Sequence, residues 1–192
     1  IDKNACYKLI REVVAKAVEY DNFVKIDMEE FQCVDLEIEL FRKIKKEFPK
    51  NVGLVFQAYL YRTMNDIDEL MDLHSKENPL NYRLCKGIYV EPETVAFQNY
   101  QEINQNFLLA LEEMFKKGIY PGIATHDEKL VIGAYELIKK YNVPNDKFEF
   151  QMLYGVTPAL RKSIIKKGYK MRIYTPFGKQ WFAYSTRRLK EN

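Results

Sequence analysis

No apolar run in this chain approaches the roughly 18 residues that a membrane-spanning helix needs, so the sequence holds no transmembrane candidate. Histidine is scarce: His74 and His126 are too few for a histidine-based metal site. Cys6, Cys33 and Cys85 are scattered without metal-ligand spacing. They read as reduced thiols of an intracellular, cytoplasmic protein, and no metal is expected. An excess of either charge is also missing. Thirty basic residues stand against 27 acidic ones, for a net charge of +3, and no basic run is dense. Nucleic acid is therefore not an expected partner. There is no low-complexity segment, and no signal peptide is expected from the residues before the first element. No glycine-rich phosphate turn follows the first strand, which counts against a dinucleotide-binding sheet.

What is present is enough apolar material for one domain: 192 residues, 47% hydrophobic and 14% aromatic. Residues 4–19 carry apolar side chains at helical period, and a short strand-like run, Phe23 to Asp27, follows. Helical patterns then cover roughly 35–48, 66–73, 99–117, 127–141 and 158–167, the last stopped by Gly168. Between them lie strand patterns at Val52 to Gln57, Tyr82 to Tyr89, Tyr120 to Thr125, Phe148 to Leu153 and Tyr169 to Tyr174. The strands read as apolar on both faces, as buried parallel strands do. Strand and helix alternate about six times, which means α/β with right-handed crossovers.

Two closures satisfy that alternation, an open doubly wound sheet and a (β/α)8 TIM-type barrel. The strand ends favour the barrel. Asp27, Gln57, Lys86 with Tyr89, Thr125 with His126, Gln151 and Tyr174 each fall at or near a strand C-terminus. That is where barrel active sites are built. Asp27 and Thr125 have a plainer reading as caps of the helices that follow. A whole barrel needs eight units, so this chain is expected to be its C-terminal three-quarters, a single domain over 1–192 with about two strands upstream of Ile1.

The last stretch, Tyr184 to Glu191, reads as helix. Tyr184, Arg187, Arg188 and Glu191 recur at i, i+3, i+4 and i+7, hence on one face. Two arginine forks on an inward face suit a bound carboxylate. The plainer alternative is a solvated helix with an Arg187–Glu191 surface pair.

An ordered set of segments carries a family resemblance: Lys25-Ile-Asp27-Met-Glu-Glu30, Phe56-Gln57-Ala-Tyr-Leu-Tyr-Arg62, Arg83-Leu-Cys-Lys86-Gly-Ile-Tyr89, Ile123-Ala-Thr125-His126-Asp127, Phe148 to Gly155, and Arg172 to Gly178 on through Arg187-Arg188 to Asn192. Together they resemble proline dehydrogenase, the flavin-dependent barrel enzyme, in its bacterial monofunctional form. The resemblance implies FAD at the C-terminal mouth and oxidation of L-proline to 1-pyrroline-5-carboxylate, the first step of proline catabolism to glutamate. It implies hydride transfer to flavin N5, a quinone as electron acceptor, and peripheral contact with the inner face of the membrane.

Residue by residue, the resemblance places Arg83 near flavin N5 and counts Asp27 with it among the catalytic residues. It gives Met28, Gln57, Lys86, Gly87, Ile88, Thr125 and His126 to FAD, with Gly87 letting the backbone approach the cofactor. The family usually has Ala where Ile88 stands and Val where Cys85 stands, so local repacking is expected. Arg187 and Arg188 match the pair that takes the proline carboxylate, with Glu191 behind them. Tyr89, Leu153, Tyr174 and Tyr184 match the walls of the proline ring. His126 reads as a structural hydrogen bonder and not as a general base. The family also has a substrate-binding lysine on a strand that would lie before Ile1. Competing readings are a Schiff-base aldolase built on Lys86 and an inactive barrel fragment.

Overall fold

The computed structural model describes residues 2–176 together with 178, 179, 182 and 186. Helix α1 (Lys3–Glu19) starts where the Asp2 carboxylate accepts from the backbone N–H groups of Asn4 and Ala5 at 2.9 and 3.1 Å. Then come β1 (Val24–Ile26), α2 (Val34–Glu47), β2 (Val52–Gln57) and α3 (Thr63–Glu69), which tightens into a 3₁₀ turn over Leu70–Leu73. The order continues β3 (Asn81–Cys85), α4 (Tyr100–Lys116), β4 (Tyr120–Ala124), α5 (Glu128–Lys140), β5 (Glu149–Leu153), α6 (Pro158–Lys166) and β6 (Met171–Tyr174).

The six strands pair in parallel in their sequence order, β1 through β6. That order decides between the two closures. A doubly wound sheet reverses direction at a switch point. Here every crossover steps the same way, so right-handed connections put all the helices on one face and leave the other as a lumen. The result is a curled half-barrel. Among the described residues β6 does not return to pair with β1.

The strands are not apolar on both faces as expected. Only β2 is buried along its whole length. In the others the side chains alternate, as a pleat requires. Outward positions (Tyr82, Leu84, Ile123, Phe148, Phe150, Met152) form the core against the helices. Tyr82 meets Phe56 edge-on at 4.8 Å and Phe41 at 6.1 Å, while Phe150 meets Tyr135 at 5.7 Å and Phe148 at 6.0 Å. Such pairs add about 0.5–1.5 kcal/mol each beyond their burial. Inward positions are Lys25, Asn81, Arg83, Glu149, Gln151 and Arg172, with Gly53 and Gly122 on the even strands between them. Gly53 on β2 and Gly122 on β4 thus leave room for long polar side chains of β1, β3 and β5 to meet, with Arg172 reaching in from β6, a layering like that of a barrel interior.

Strand β3 stops at Cys85, four residues short of the expected end at Tyr89. Gly87 takes φ +109°, outside the extended region, and turns the chain out of the sheet. No disulfide joins Cys6, Cys33 and Cys85. No described helix is long and apolar enough to cross a membrane.

Candidate active site

The lumen holds one continuous polar chain. Arg83 Nη1 donates to Asp27 Oδ1 at 2.6 Å, and Arg83 Nε donates to Gln151 Oε1 at 2.8 Å. Gln151 Nε2 donates to Glu149 Oε1 at 2.8 Å. Glu149 in turn accepts both arms of the Arg172 fork, at 2.5 and 3.1 Å. Lys170 Nζ lies 3.7 Å from the same carboxylate, and the Tyr120 hydroxyl donates to it at 3.4 Å. Burial works against the Glu149 carboxylate, but hydrogen bonds from Arg172 and Gln151 outweigh it and its pKa falls below the usual value. Below this layer Lys25 donates to Asn81 across Gly53. Burial first, and the charge of Arg83 second, push the Lys25 pKa down to about 7. Arg83, Arg172 and Lys170 outnumber Asp27 and Glu149 even before Lys25 is counted, so the lumen is a positive field suited to an anionic ligand.

At the mouth, Lys86 is clamped. Its ammonium lies 2.6 Å from Asp127 Oδ2 and 4.2 Å from the centre of the Tyr100 ring. Tyr100 and Asn104 donate to the same carboxylate oxygen, and Asp127 Oδ1 caps α5 through the Lys129 N–H at 3.0 Å. Burial opposes the charge on Asp127, yet hydrogen bonds from Lys86, Tyr100 and Asn104 hold its pKa well below the carboxylate range. Thr125 Oγ1 accepts the Asp127 N–H at 3.1 Å, a local turn contact, and the cap of α5 is Asp127 and not Thr125. His126 Nε2 accepts the Leu153 N–H at 2.9 Å, tying the end of β4 to that of β5.

The β1–α2 loop is bound to the β3–α4 loop over the top of β2. Tyr89 donates to Glu29 and the Phe31 N–H donates to Glu91 at 2.7 Å. The hydrogen bond to Glu29, with burial second, raises the Tyr89 pKa to about 12. Gln57 is 2% exposed and its Nε2 donates to the Glu29 carbonyl at 2.7 Å, so its amide braces the loop from beneath. Met28 is buried in the core, 6% exposed. Glu37 Oε1 accepts the Glu29 N–H at 3.1 Å, and burial above all pushes its pKa to about 7.

The glycine at 87 has a second reason besides its φ. A Cβ there would stand 2.3 Å from the Tyr59 ring, so the space next to Gly87 is taken by protein. Ile88 and Tyr174 are exposed to the mouth side of the sheet, 47% and 45%. The structure thus brings Asp27, Arg83, Lys86, Thr125, His126, Leu153 and Tyr174 to one rim of the half-barrel. Tyr184, Arg187, Arg188 and Glu191 lie outside the described residues.

Sequence reasoning missed the supports: Glu149 with Arg172, Asp127, and Glu29. The signal for Glu149 was a carboxylate alternating with Phe148, Phe150 and Met152 in one strand. Asp127 stands at the start of a helical pattern, a position that suits a cap, but nothing local says that its second oxygen receives a lysine from the end of β3. Among the described residues no cluster of His, Cys, Asp or Glu is arranged to hold a metal.

A family model described as proline dehydrogenase matches residues 4–192. The chain is 40% identical over 182 residues to a proline dehydrogenase of Deinococcus radiodurans, covering 94% of this chain and 57% of that protein. It is 39% identical to proline dehydrogenase 2 of Bacillus subtilis, covering 100% of this chain and 61% of that protein. The chain therefore spans about three-fifths of the curated relatives it matches. Among solved structures, proline utilization A from Bdellovibrio bacteriovorus, inactivated by N-propargylglycine, superimposes with a TM-score of 0.92 at 32% identity. That match covers 99% of this chain and 22% of the larger protein.

Proposed function

The chain belongs to the proline dehydrogenase family, and on that premise we propose that it oxidises L-proline to 1-pyrroline-5-carboxylate with FAD held at the C-terminal rim. The observation that carries the reading is the fixed guanidinium of Arg83, gripped at Nε by Gln151 and at Nη1 by Asp27 inside a positive lumen. The donor set fits the cofactor. Arg83 and Lys86 are cations only partly exposed at the end of one strand, and the Gly87–Ile88 backbone leaves the sheet beside them.

When bound, FAD would supply the hydride acceptor for oxidation at the ring carbon beside the amine. The protein orients and polarises. Arg83 holds a positive charge where negative charge develops, and Asp27 keeps that cation in place. Lys86, Ile88, Thr125 and His126 hold the cofactor, while Gln57, Met28 and Gly87 shape the layer beneath. Gln57 commits one amide hydrogen to Glu29, which leaves its other polar positions for the ring edge. Arg187 and Arg188 take the proline carboxylate, with Glu191 orienting them. Tyr89, Leu153, Tyr174 and Tyr184 wall the ring, and Tyr184 is the steric check on ring hydroxyls. His126 serves as an acceptor and not as a base, since Nε2 already receives the Leu153 N–H.

In this reading the six units belong to an eight-unit barrel, residues 1–192 lie in a single domain, and a quinone reached at a membrane surface takes the electrons. A Schiff-base role for Lys86 gains no support, because its ammonium is held by Asp127 and the Tyr100 face. The test is the visible absorption spectrum of the purified protein before and after anaerobic L-proline. The expected result is a flavin spectrum that proline bleaches. A flavin spectrum unchanged by proline overturns the substrate, and a colourless protein overturns the cofactor.

A further inference from the structure

We infer that Gln151 and Glu149 are positioning residues for Arg83: the buried Glu149 carboxylate sets the direction of the Gln151 amide, and that amide sets the plane of the guanidinium. The inference rests on Arg83 standing beside the flavin, as proposed above.

The direction of the relay follows from donor and acceptor chemistry. A carboxylate only accepts, so Gln151 must turn its NH2 toward Glu149 and its carbonyl oxygen toward Arg83. Arg83 only donates, so the same orientation satisfies both neighbours. Reversing the amide would set an oxygen against a carboxylate and an NH2 against a guanidinium. Glu149 is itself fixed, 1% exposed and held by the two arms of Arg172. Gln151 is 5% exposed, so its amide is shielded from competing water.

Two contacts on a rigid planar group define its plane. Gln151 takes Nε and Asp27 takes Nη1, from opposite sides of β3. Nη2 has no hydrogen-bond partner among the described residues and is the nitrogen left to face a ligand. Gly122 makes the Gln151 contact sterically accessible. It pairs with Arg83 on one side and Glu149 on the other, and a Cβ there would stand 2.4 Å from Gln151 Nε2. The span from Arg83 on β3 to Gln151 on β5 crosses β4 only because position 122 has no side chain.

The test uses the flavin-loaded full-length protein. Gln151→Met keeps the volume and removes the acceptor. Its expected effects are a flavin midpoint potential shifted negative, in the direction of Arg83→Met but by less, and flavin bleaching by saturating proline slowed about 10-fold to 100-fold, as misplacement of a reacting geometry costs. KM for proline should change little, because the carboxylate belongs to other residues. The exchange Glu149→Gln with Gln151→Glu moves the carboxylate one step along the relay while conserving charge. The amide now at position 149 would donate to the carboxylate at position 151, and that carboxylate would accept from Arg83. Each single change is expected to shift the potential, and the pair to restore it.

An unmoved potential and bleaching rate in Gln151→Met overturn the inference while leaving the proline dehydrogenase reading intact. So does an exchanged pair no closer to the unaltered protein than its singles, which also decides the matter should Gln151→Met fail to load flavin. An unaltered protein with no proline-bleachable flavin overturns both.

Discussion

The two faces of the sheet are built by the same strands and obey different physics. Residues at one parity, such as Phe148, Phe150 and Met152, are sealed against helices and contribute by area and fit. Residues at the other parity, such as Glu149 and Gln151, sit one position away and contribute by charge, donor direction and spacing. Substitutions on the outer face should therefore unfold the protein, and substitutions in the lumen should impair a protein that still folds. The sharpest expected contrast comes from the outer side. Phe150→Ala removes a ring that touches Tyr135, Phe148 and Tyr169 and is 1% exposed. It should cost about 3–5 kcal/mol in chemical denaturation. A loss below roughly 1 kcal/mol would mean that the outer face is not the core.

The two lumen glycines divide the lumen itself. A Cβ on Gly53 would meet the Asn81 backbone oxygen at 2.2 Å, and backbone in a paired strand cannot yield cheaply. Gly53→Ala should destabilise by about 1–3 kcal/mol or more, the range of forced overpacking. A Cβ on Gly122 would meet the end of the Gln151 side chain, which can swing aside. Gly122→Ala should cost less than about 1.5 kcal/mol in stability. It should nonetheless slow flavin bleaching by proline, because it moves the amide that holds Arg83. Thermal unfolding and anaerobic stopped-flow on the same two variants measure both halves. Equal stability losses would erase the distinction between a backbone neighbour and a side-chain neighbour.

How much of this could be read in the chain follows from which interactions are local. The α/β alternation was legible because the helices carry their own period and some carry their own caps, Asp2 and Asn99 among them. The rim residues were legible because strand ends are marked by the turns that follow. The end of β3 was not, since Gly87 leaves the extended region beside Tyr59, a neighbour from another strand end. The polar lumen was misread as apolar for a similar reason. In Phe148-Glu-Phe-Gln-Met-Leu153 Gln151 stands out as a strand-end polar residue, but Glu149 looks incidental until the register places it beside Gly122, with Gln151 beside Arg172 and Ala124. Nor does any local pattern say that Asp127, a helix cap, also receives Lys86 from β3.

Lys25 tests the contrast where the lumen bears on stability. It is an inward lysine that donates to Asn81 and lies 5.3 Å from the centre of the Phe23 ring. Burial, and then the Arg83 charge, lower its pKa to about 7, with Arg172 acting the same way and Glu149 and Asp27 opposing. In the unfolded chain the same lysine keeps a pKa of about 10.4. Between about pH 7 and pH 10 the unfolded state therefore binds a proton that the native state lacks, and stability rises with pH across that window. Below pH 7 both states carry the proton and this contribution to the slope vanishes. The expected observation is an unfolding midpoint that climbs from pH 7 to pH 9 by about 2–4 °C for each kcal/mol gained. Lys25→Met, which keeps the length of the side chain and removes the charge, should reduce that climb to the part due to Lys45, whose burial lowers its pKa to about 8, while Lys3→Ala on the exposed Lys3–Glu39 pair should leave it unchanged. A slope undiminished in Lys25→Met would place the titrating group elsewhere. It would leave the lumen a site of function only, with no share in the pH dependence of folding.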